Sequence, residues 1–188
     1  MKIPVAVSHR HVHLTKEDKD ILFGTDHTLT SIKPLSQKGQ FACEEKVTIK
    51  TENGMIEGLR ILGPERKYTQ VELTKSDAYK LKINPPLRDS GDLTAAETVT
   101  IIGPKGSILA KNSTIIAHRH IHMDKEDLIK FNVKDGEVVS VKIDTDRGGI
   151  FDNVHVKVDD SYVLEFHIDT DEANAFNVTK GVVTEIVK

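Results

Sequence analysis

Apolar and polar residues alternate over many short stretches of this chain. The alternation is clear at 46–50, and a period of two is typical of β-strands with one buried face. Ile3–Ser8 and 108–116 are also predicted to be strands. Asn53-Gly54 separates two such stretches and is a favoured sequence for a β-hairpin turn. Helical patterns extend for only two or three turns. The sequence therefore predicts a mainly β protein, built of small β-barrels that short α-helices cap.

Four short helices are predicted, and each begins directly after a strand. The first begins at Thr15 and ends before Gly24, and the others cover 74–81, 124–131 and 169–176. Each begins at Thr or Asp, which cap helix N-termini, and is followed by acidic residues, which favour the first turn. The segment 84–92, rich in proline, glycine and aspartate, is predicted to be a loop.

The four strand-to-helix junctions form a repeat. Aligned on their caps, the segments begin at His13, Glu72, His122 and His167. Such repetition indicates duplicated supersecondary units. Because the spacings are unequal, we expect a pair of pseudo-symmetric barrels rather than an open solenoid. All four first residues are side chains that bind zinc or similar metals.

Two segments, residues 8–18 and 117–127, are nearly identical and contain six of the nine histidines. Alternate residues of a strand point to one face, so His11 can act with His13, and His120 with His122. Six donors suggest two ions. We assign them to one group of His11, His13 and Glu72 and a second group of His120, His122 and His167. Three protein ligands leave an open position, as in catalytic zinc sites.

The remaining histidines and the cysteine are predicted to have other roles. His9 and His118 share the strand parity of the donors, but each lies one step further from its helix. His27 and His155 are predicted to be surface residues. The single cysteine, Cys43, excludes an internal disulfide, which fits a reducing cytoplasm, and is predicted to be a small strand residue.

Length and charge restrict the possible functions. The 188 residues suffice for one large domain or two small ones. A net charge of −3 gives no electrostatic basis for binding nucleic acid or an anionic membrane. No apolar run approaches the roughly 18 residues of a membrane span, and a signal peptide is not evident.

Four motifs occur in the order that one known family shows. They are Val7-Ser8-His9-Arg10-His11-Val12-His13-Leu14, Gly63-Pro64-Glu65-Arg66 with Thr69-Gln70-Val71-Glu72, Asp89-Ser90-Gly91-Asp92-Leu93, and Ala117-His118-Arg119-His120-Ile121-His122-Met123. Over essentially its whole length the chain resembles the phosphate propanoyltransferases. These are the PduL-type phosphotransacylases, which are associated with bacterial microcompartments.

The resemblance implies a fold and a reaction. The N-terminal strand would complete the C-terminal barrel, giving one domain of residues 1–9 with 118–188 and a second of residues 10–117. Two zinc ions per chain would bind the six donors and support acyl transfer between coenzyme A and phosphate, with propanoyl-CoA or acetyl-CoA as substrate. Arg66 would be the catalytic, phosphate-binding residue, and Ser90 a further phosphate contact. The implied coenzyme A contacts are Ser8, Lys33, Arg60, Leu62, His167 and Asn174.

Further expectations concern the location and the assembly of the protein, and two alternative functions stay open. Microcompartment members carry an amphipathic N-terminal extension, and only a few strand-like residues precede Val7 here, so we expect a cytoplasmic enzyme. The family suggests a homodimer. One alternative is a two-metal hydrolase of thioesters or phosphoesters. The other is a non-catalytic barrel that stores or senses metal.

Overall fold

The computed structural model describes residues 1–187, and in that range the chain forms fourteen strands and four short helices. The strands are β1 Ile3–Ser8, β2 His11–His13, β3 Ser31–Pro34, β4 Phe41–Lys50, β5 Met55–Gly63, β6 Gln70–Glu72, β7 Leu87–Arg88, β8 Glu97–Ile102, β9 Ser107–Ala117, β10 His120–Met123, β11 Val138–Ile143, β12 Gly149–Val158, β13 Glu165–Asp169 and β14 Val183–Val187. The helices are α1 Lys16–Phe23, α2 Lys75–Leu81, α3 Lys125–Phe131 and α4 Thr170–Ala175. None of these helices is long and apolar enough to cross a membrane. The predicted fold class, mainly β with short capping helices, is confirmed.

The chain divides into two compact units, each built around its own barrel. One is formed by Arg10–Ala117 and is called the continuous barrel. The other combines Met1–His9 with His118–Lys188 and is called the discontinuous barrel. That these units are separate domains stays a prediction.

In the continuous barrel, six strands pair in a closed ring. The order is β4, β5, β2, β6, β9 and β8, and β8 pairs back to β4. β3 extends the sheet beside β4, and β7 pairs with β9. The alternating apolar residues of these strands fill the interior, where Leu59, Ile61 and Ile101 are fully buried. Burial of such side chains contributes roughly 1.5–3 kcal/mol each.

The discontinuous barrel is also a closed ring of six strands, in the order β1, β13, β10, β12, β11 and β14. β1 closes the ring because it pairs with β13 on one side and β14 on the other. Ile3 of β1 and Phe166 of β13 are fully buried in its core. The N-terminal strand therefore completes the C-terminal barrel, as predicted.

The two rings share one topology. β2 pairs in parallel with β5 and antiparallel with β6, and β10 pairs in the same two ways with β12 and β13. β6 then pairs in parallel with β9, whereas β13 pairs in parallel with β1. In the discontinuous barrel β1 thus occupies the position that β9 has in the continuous barrel.

Each helix begins at a capped junction after a strand. The side chains of Thr15, Thr74, Asp124 and Asp169 accept hydrogen bonds of 2.9–3.2 Å from the backbone N–H three residues later. All four caps have extended backbone, with ψ between 165° and 178°. The predicted repeat is thus present in the structure. The predicted loop 84–92 differs in one respect, because Leu87–Arg88 pairs with β9.

We expect Ile3→Ala to destabilise the fold, because it removes fully buried volume from the strand that closes the discontinuous barrel. The free energy of unfolding should fall by about 2–5 kcal/mol in urea denaturation. Ile129→Ala is the matched control, since Ile129 is 82% exposed and its loss should change stability by less than about 0.5 kcal/mol. Equal effects of the two variants would contradict the assigned role of β1.

Candidate metal centres

The first donor group consists of His11, His13 and Glu72 and is called the mixed group. His11 and His13 are alternate residues of β2, and Glu72 ends the neighbouring strand β6, directly opposite His11. One ligand atom from each residue lies within 4.8 Å of the others. His11 Nε2 is 3.5 Å from Glu72 Oε2. Strand alternation and antiparallel register therefore bring the three side chains together, as the pattern predicts.

The second donor group consists of His120, His122 and His167 and is called the three-histidine group. β10 supplies His120 and His122, and His167 on β13 lies opposite His120. The three ring centroids are 4.5–5.0 Å apart, and one ring nitrogen from each residue lies within 4.8 Å of the others. His120 and His167 occupy the same register positions as His11 and Glu72 in the other barrel.

Hydrogen bonds leave several of these ring nitrogens available to a metal. His13 Nδ1 lies 3.1 Å from the Leu62 carbonyl, and His120 Nδ1 lies 2.8 Å from the His118 carbonyl. Since a carbonyl oxygen only accepts, each Nδ1 carries the proton and each Nε2 keeps its lone pair. His122 Nδ1 and His167 Nε2 are buried without a hydrogen-bond partner. Such buried groups are costly, and a metal ion would satisfy them.

Burial favours the neutral form of three donor imidazoles, those of His13, His120 and His122. It is the main cause that lowers the pKa of His13 and His120 well below the usual range, and it lowers the pKa of His122 to about 3. Nearby positive charge acts in the same direction, from Arg66 at His13 and from Lys157 at His120 and His122. A neutral imidazole is the form that binds metal, so both groups fit a divalent cation.

Two side chains that the sequence pattern does not connect with Glu72 hold its carboxylate in place. Gln70 Nε2 donates to Glu72 Oε1 at 2.6 Å, and Ser90 Oγ donates to the same oxygen at 2.9 Å. The remaining oxygen, Oε2, therefore faces His11. The motif Thr69-Gln70-Val71-Glu72 contains Gln70, but only the register shows that it lies opposite His13.

An arginine next to the donor histidines stabilises each site. Arg10 Nη1 donates to Asp77 Oδ1 at 3.0 Å, and Arg119 Nε donates to Glu172 Oε1 at 2.7 Å. Both acids are also the third helical residues of capping boxes in α2 and α4. The arginine of each His-Arg-His motif thus ties a donor strand to the helix that follows the opposite strand. The sequence gives no signal for these long-range ion pairs.

Four further predicted site residues lie in the continuous barrel. Half-buried Arg66 follows β5, and its backbone N–H donates to the Leu14 carbonyl at 2.8 Å. Arg60 Nη1 donates to the Cys43 carbonyl at 2.5 Å, and Leu62 follows on the same strand. Lys33 is exposed on β3.

Two other predicted contacts lie in the discontinuous barrel. Ser8 is half-buried at the end of β1, and Asn174 is exposed on α4. Their roles in binding stay predictions.

Two histidines predicted at the surface are half-buried instead. His27 Nε2 lies 2.7 Å from Glu45 Oε1 and its ring stacks on Phe23. His155 stacks on His118 with centroids 4.1 Å apart. The contact of His27 with Glu45 and that of His155 with His118 join residues 18 and 37 positions apart, so a local sequence window does not show them. Cys43 is a fully buried strand residue, and burial raises the pKa of its thiol to about 11.

A sequence model of the family described as phosphate propanoyltransferase matches residues 4–179 of the chain. The chain belongs to the phosphate propanoyltransferase family. A phosphate propanoyltransferase of Thermotoga maritima is 48% identical over 187 residues, which cover 99% of this chain and 89% of the relative. One from Lachnoclostridium phytofermentans is 47% identical, with coverages of 98% and 87%. Family members are acyltransferases, so the chain is an enzyme of that class.

We expect the metal-free chain of this family member to lose stability in acid. Unfolding exposes His13, His120 and His122 to water, where their pKa is near 6.5, whereas their pKa in the fold is lower. Below about pH 6.5 the unfolded state therefore binds more protons, and the unfolding free energy should fall by up to about 4 kcal/mol per pH unit for three groups. Above that pH the contribution is complete.

Urea unfolding with a chelator at pH 7.5, 6.5 and 5.5 measures this dependence. His122→Asn removes one of the three groups and should reduce the slope. A wild-type stability that is constant over this range would contradict the neutral burial of these histidines.

Proposed function

We propose that the chain is a zinc-dependent phosphate acyltransferase. It would interconvert propanoyl-CoA or acetyl-CoA plus phosphate with the acyl phosphate plus coenzyme A. One observation carries the proposal: a member of the phosphate propanoyltransferase family has two three-donor groups at equivalent strand-to-helix junctions. The family name supports the acyl transfer, and the donor groups support the metal dependence.

Zinc suits both donor groups. Imidazole and carboxylate are its common ligands, and three protein ligands leave a position open to substrate. His11, His13 and Glu72 would hold one ion, and His120, His122 and His167 the other. Bound zinc supplies Lewis acidity toward a phosphate or carbonyl oxygen and stabilises a thiolate leaving group.

Arg66 would bind and orient the nucleophile. In the reaction a phosphate oxygen forms a bond to the thioester carbonyl carbon, the carbon–sulfur bond breaks, and coenzyme A leaves as a thiolate that takes up a proton. A guanidinium can hold two phosphate oxygens at once and is positively charged at every working pH. The hydrogen bond from the Arg66 backbone to Leu14 fixes the start of its loop close to β2. Such positioning would lower the activation barrier for acyl transfer by roughly several kcal/mol.

Several other residues would contact the substrates. Ser90, which is bonded to Glu72, would be a second phosphate contact. Lys33 and Arg60 carry the positive charge that the phosphates of coenzyme A need. The remaining coenzyme A contacts would be Ser8, Leu62, His167 and Asn174.

We also propose a cytoplasmic homodimer that acts on small molecules alone. The free thiol of Cys43 fits a reducing compartment. The dimer rests on the family resemblance, and sedimentation equilibrium of the pure protein tests it.

Arg66→Ala should lower phosphate-dependent release of coenzyme A and raise the Michaelis constant for phosphate, because one cationic phosphate contact is lost. Loss of a charged hydrogen-bonding partner corresponds to about a 10- to 100-fold drop in catalytic efficiency. Lys67→Ala is the control, since it removes a neighbouring exposed charge and should leave both constants unchanged. The measurement is coenzyme A release from acetyl, propanoyl and butanoyl thioesters, with and without phosphate.

The same assay separates the alternatives. A hydrolase would release free acid without phosphate, and a metal store would ignore coenzyme A in calorimetry. Wild-type kinetics in Arg66→Ala would remove Arg66 from the mechanism. Full activity of metal-free protein would contradict the zinc dependence.

A further inference from the structure

Gln70 and Glu165 occupy the same place in the two barrels. Gln70 lies two residues before Glu72 on β6 and opposite His13. Glu165 lies two residues before His167 on β13 and opposite His122. The position is therefore equivalent, but it carries an amide in one barrel and a carboxylate in the other.

In the mixed group, the amide holds a carboxylate that is already a donor. Gln70 is fully buried, and the Gly91 backbone N–H donates to its Oε1 at 2.8 Å. Because a backbone N–H only donates, the amide nitrogen must face the other side, where it donates to Glu72 and to Ser90. A neutral side chain suits this position since a second carboxylate would repel Glu72.

In the three-histidine group, the carboxylate itself approaches a donor nitrogen. Glu165 Oε2 lies 3.0 Å from His167 Nε2, and both side chains are about 15% exposed. The pair does not have hydrogen-bond geometry, because that nitrogen has no hydrogen-bond partner. A carboxylate oxygen this close to a ring nitrogen, with no hydrogen bond between them, places negative charge beside the three donor nitrogens. The contact therefore fits two groups that face one cation.

The charges around the two groups give a second, independent reason. Arg66 contributes positive charge at His13 of the mixed group, which also contains the carboxylate of Glu72. Lys157 pairs with His122 across β10 and β12 and contributes positive charge at the three-histidine group. Three imidazoles bring no negative charge to the site, and the nearby lysine repels a divalent cation. A carboxylate at Glu165 offsets that charge, so each group then has one acid and one cation.

We propose that Glu165 is the carboxylate of the three-histidine group, the counterpart of Glu72 moved to the preceding same-face position of its strand. Its negative charge beside His167 increases the affinity of that group for a divalent cation, while His120, His122 and His167 remain the three ligands and the fourth position stays open. The inference rests on the proposed function, because it takes the three-histidine group to be a zinc site.

Competition titration of metal-free protein with Zn²⁺ and a chromophoric chelator tests the inference. Wild type should bind two equivalents. Glu165→Gln, which keeps the shape and removes the charge, should weaken one equivalent by about 10- to 100-fold and leave the other unchanged. Glu72→Gln should weaken the other equivalent, and the double variant both. Glu126→Gln is the control, since it removes an equal charge from an 82% exposed side chain of α3 and should change neither affinity.

Metal-free urea midpoints are measured for every variant, so that a folding defect is recognised. Two wild-type affinities in folded Glu165→Gln would overturn this inference and leave the proposed function intact. Equal weakening of both equivalents would overturn it as well, because the effect would not be local. Wild-type protein that binds no Zn²⁺ would overturn the proposed function itself.

Discussion

Both sites depend on helix caps, which lie two residues after four of the six donors. At each cap the chain stays extended, and the cap side chain accepts the backbone N–H three residues later. The residue two positions earlier then lies in the last residues of a strand, with its side chain at one end of the barrel. A cap contributes about 1 kcal/mol, but four of them specify where four donors lie. Register between neighbouring strands adds the remaining histidines.

The two copies of the His-Arg-His motif lie at the two points where the chain passes between its units. The chain leaves the discontinuous barrel after His9 and returns to it at His118, so each copy lies where the chain passes from one unit to the other. In each copy the arginine pairs with a capping-box acid of its own barrel, and the histidine after it begins the donor strand. One short sequence therefore lies at both passages between the units and contains candidate metal donors.

Local patterns in the sequence suffice for the fold class and for grouping the six donors. Strand alternation and cap chemistry depend on neighbouring residues, and they correctly predict the repeat that begins at His13, Glu72, His122 and His167. The ion pairs of Arg10 and Arg119, the contact of His27 with Glu45, and the equivalence of Gln70 with Glu165 depend on tertiary structure. Arg10 and Asp77, for example, are 67 positions apart in the sequence. A short window of the sequence therefore does not reveal these contacts.

The central claim is that two equivalent donor groups each hold one metal ion. Elemental analysis of the purified protein by mass spectrometry, alone and as His13→Ala and His122→Ala variants, tests it most directly. The account predicts about two zinc ions per wild-type chain from two open three-ligand sites, and about one in each variant. A single ion in the wild type, or loss of both ions in either folded variant, would contradict two separate groups.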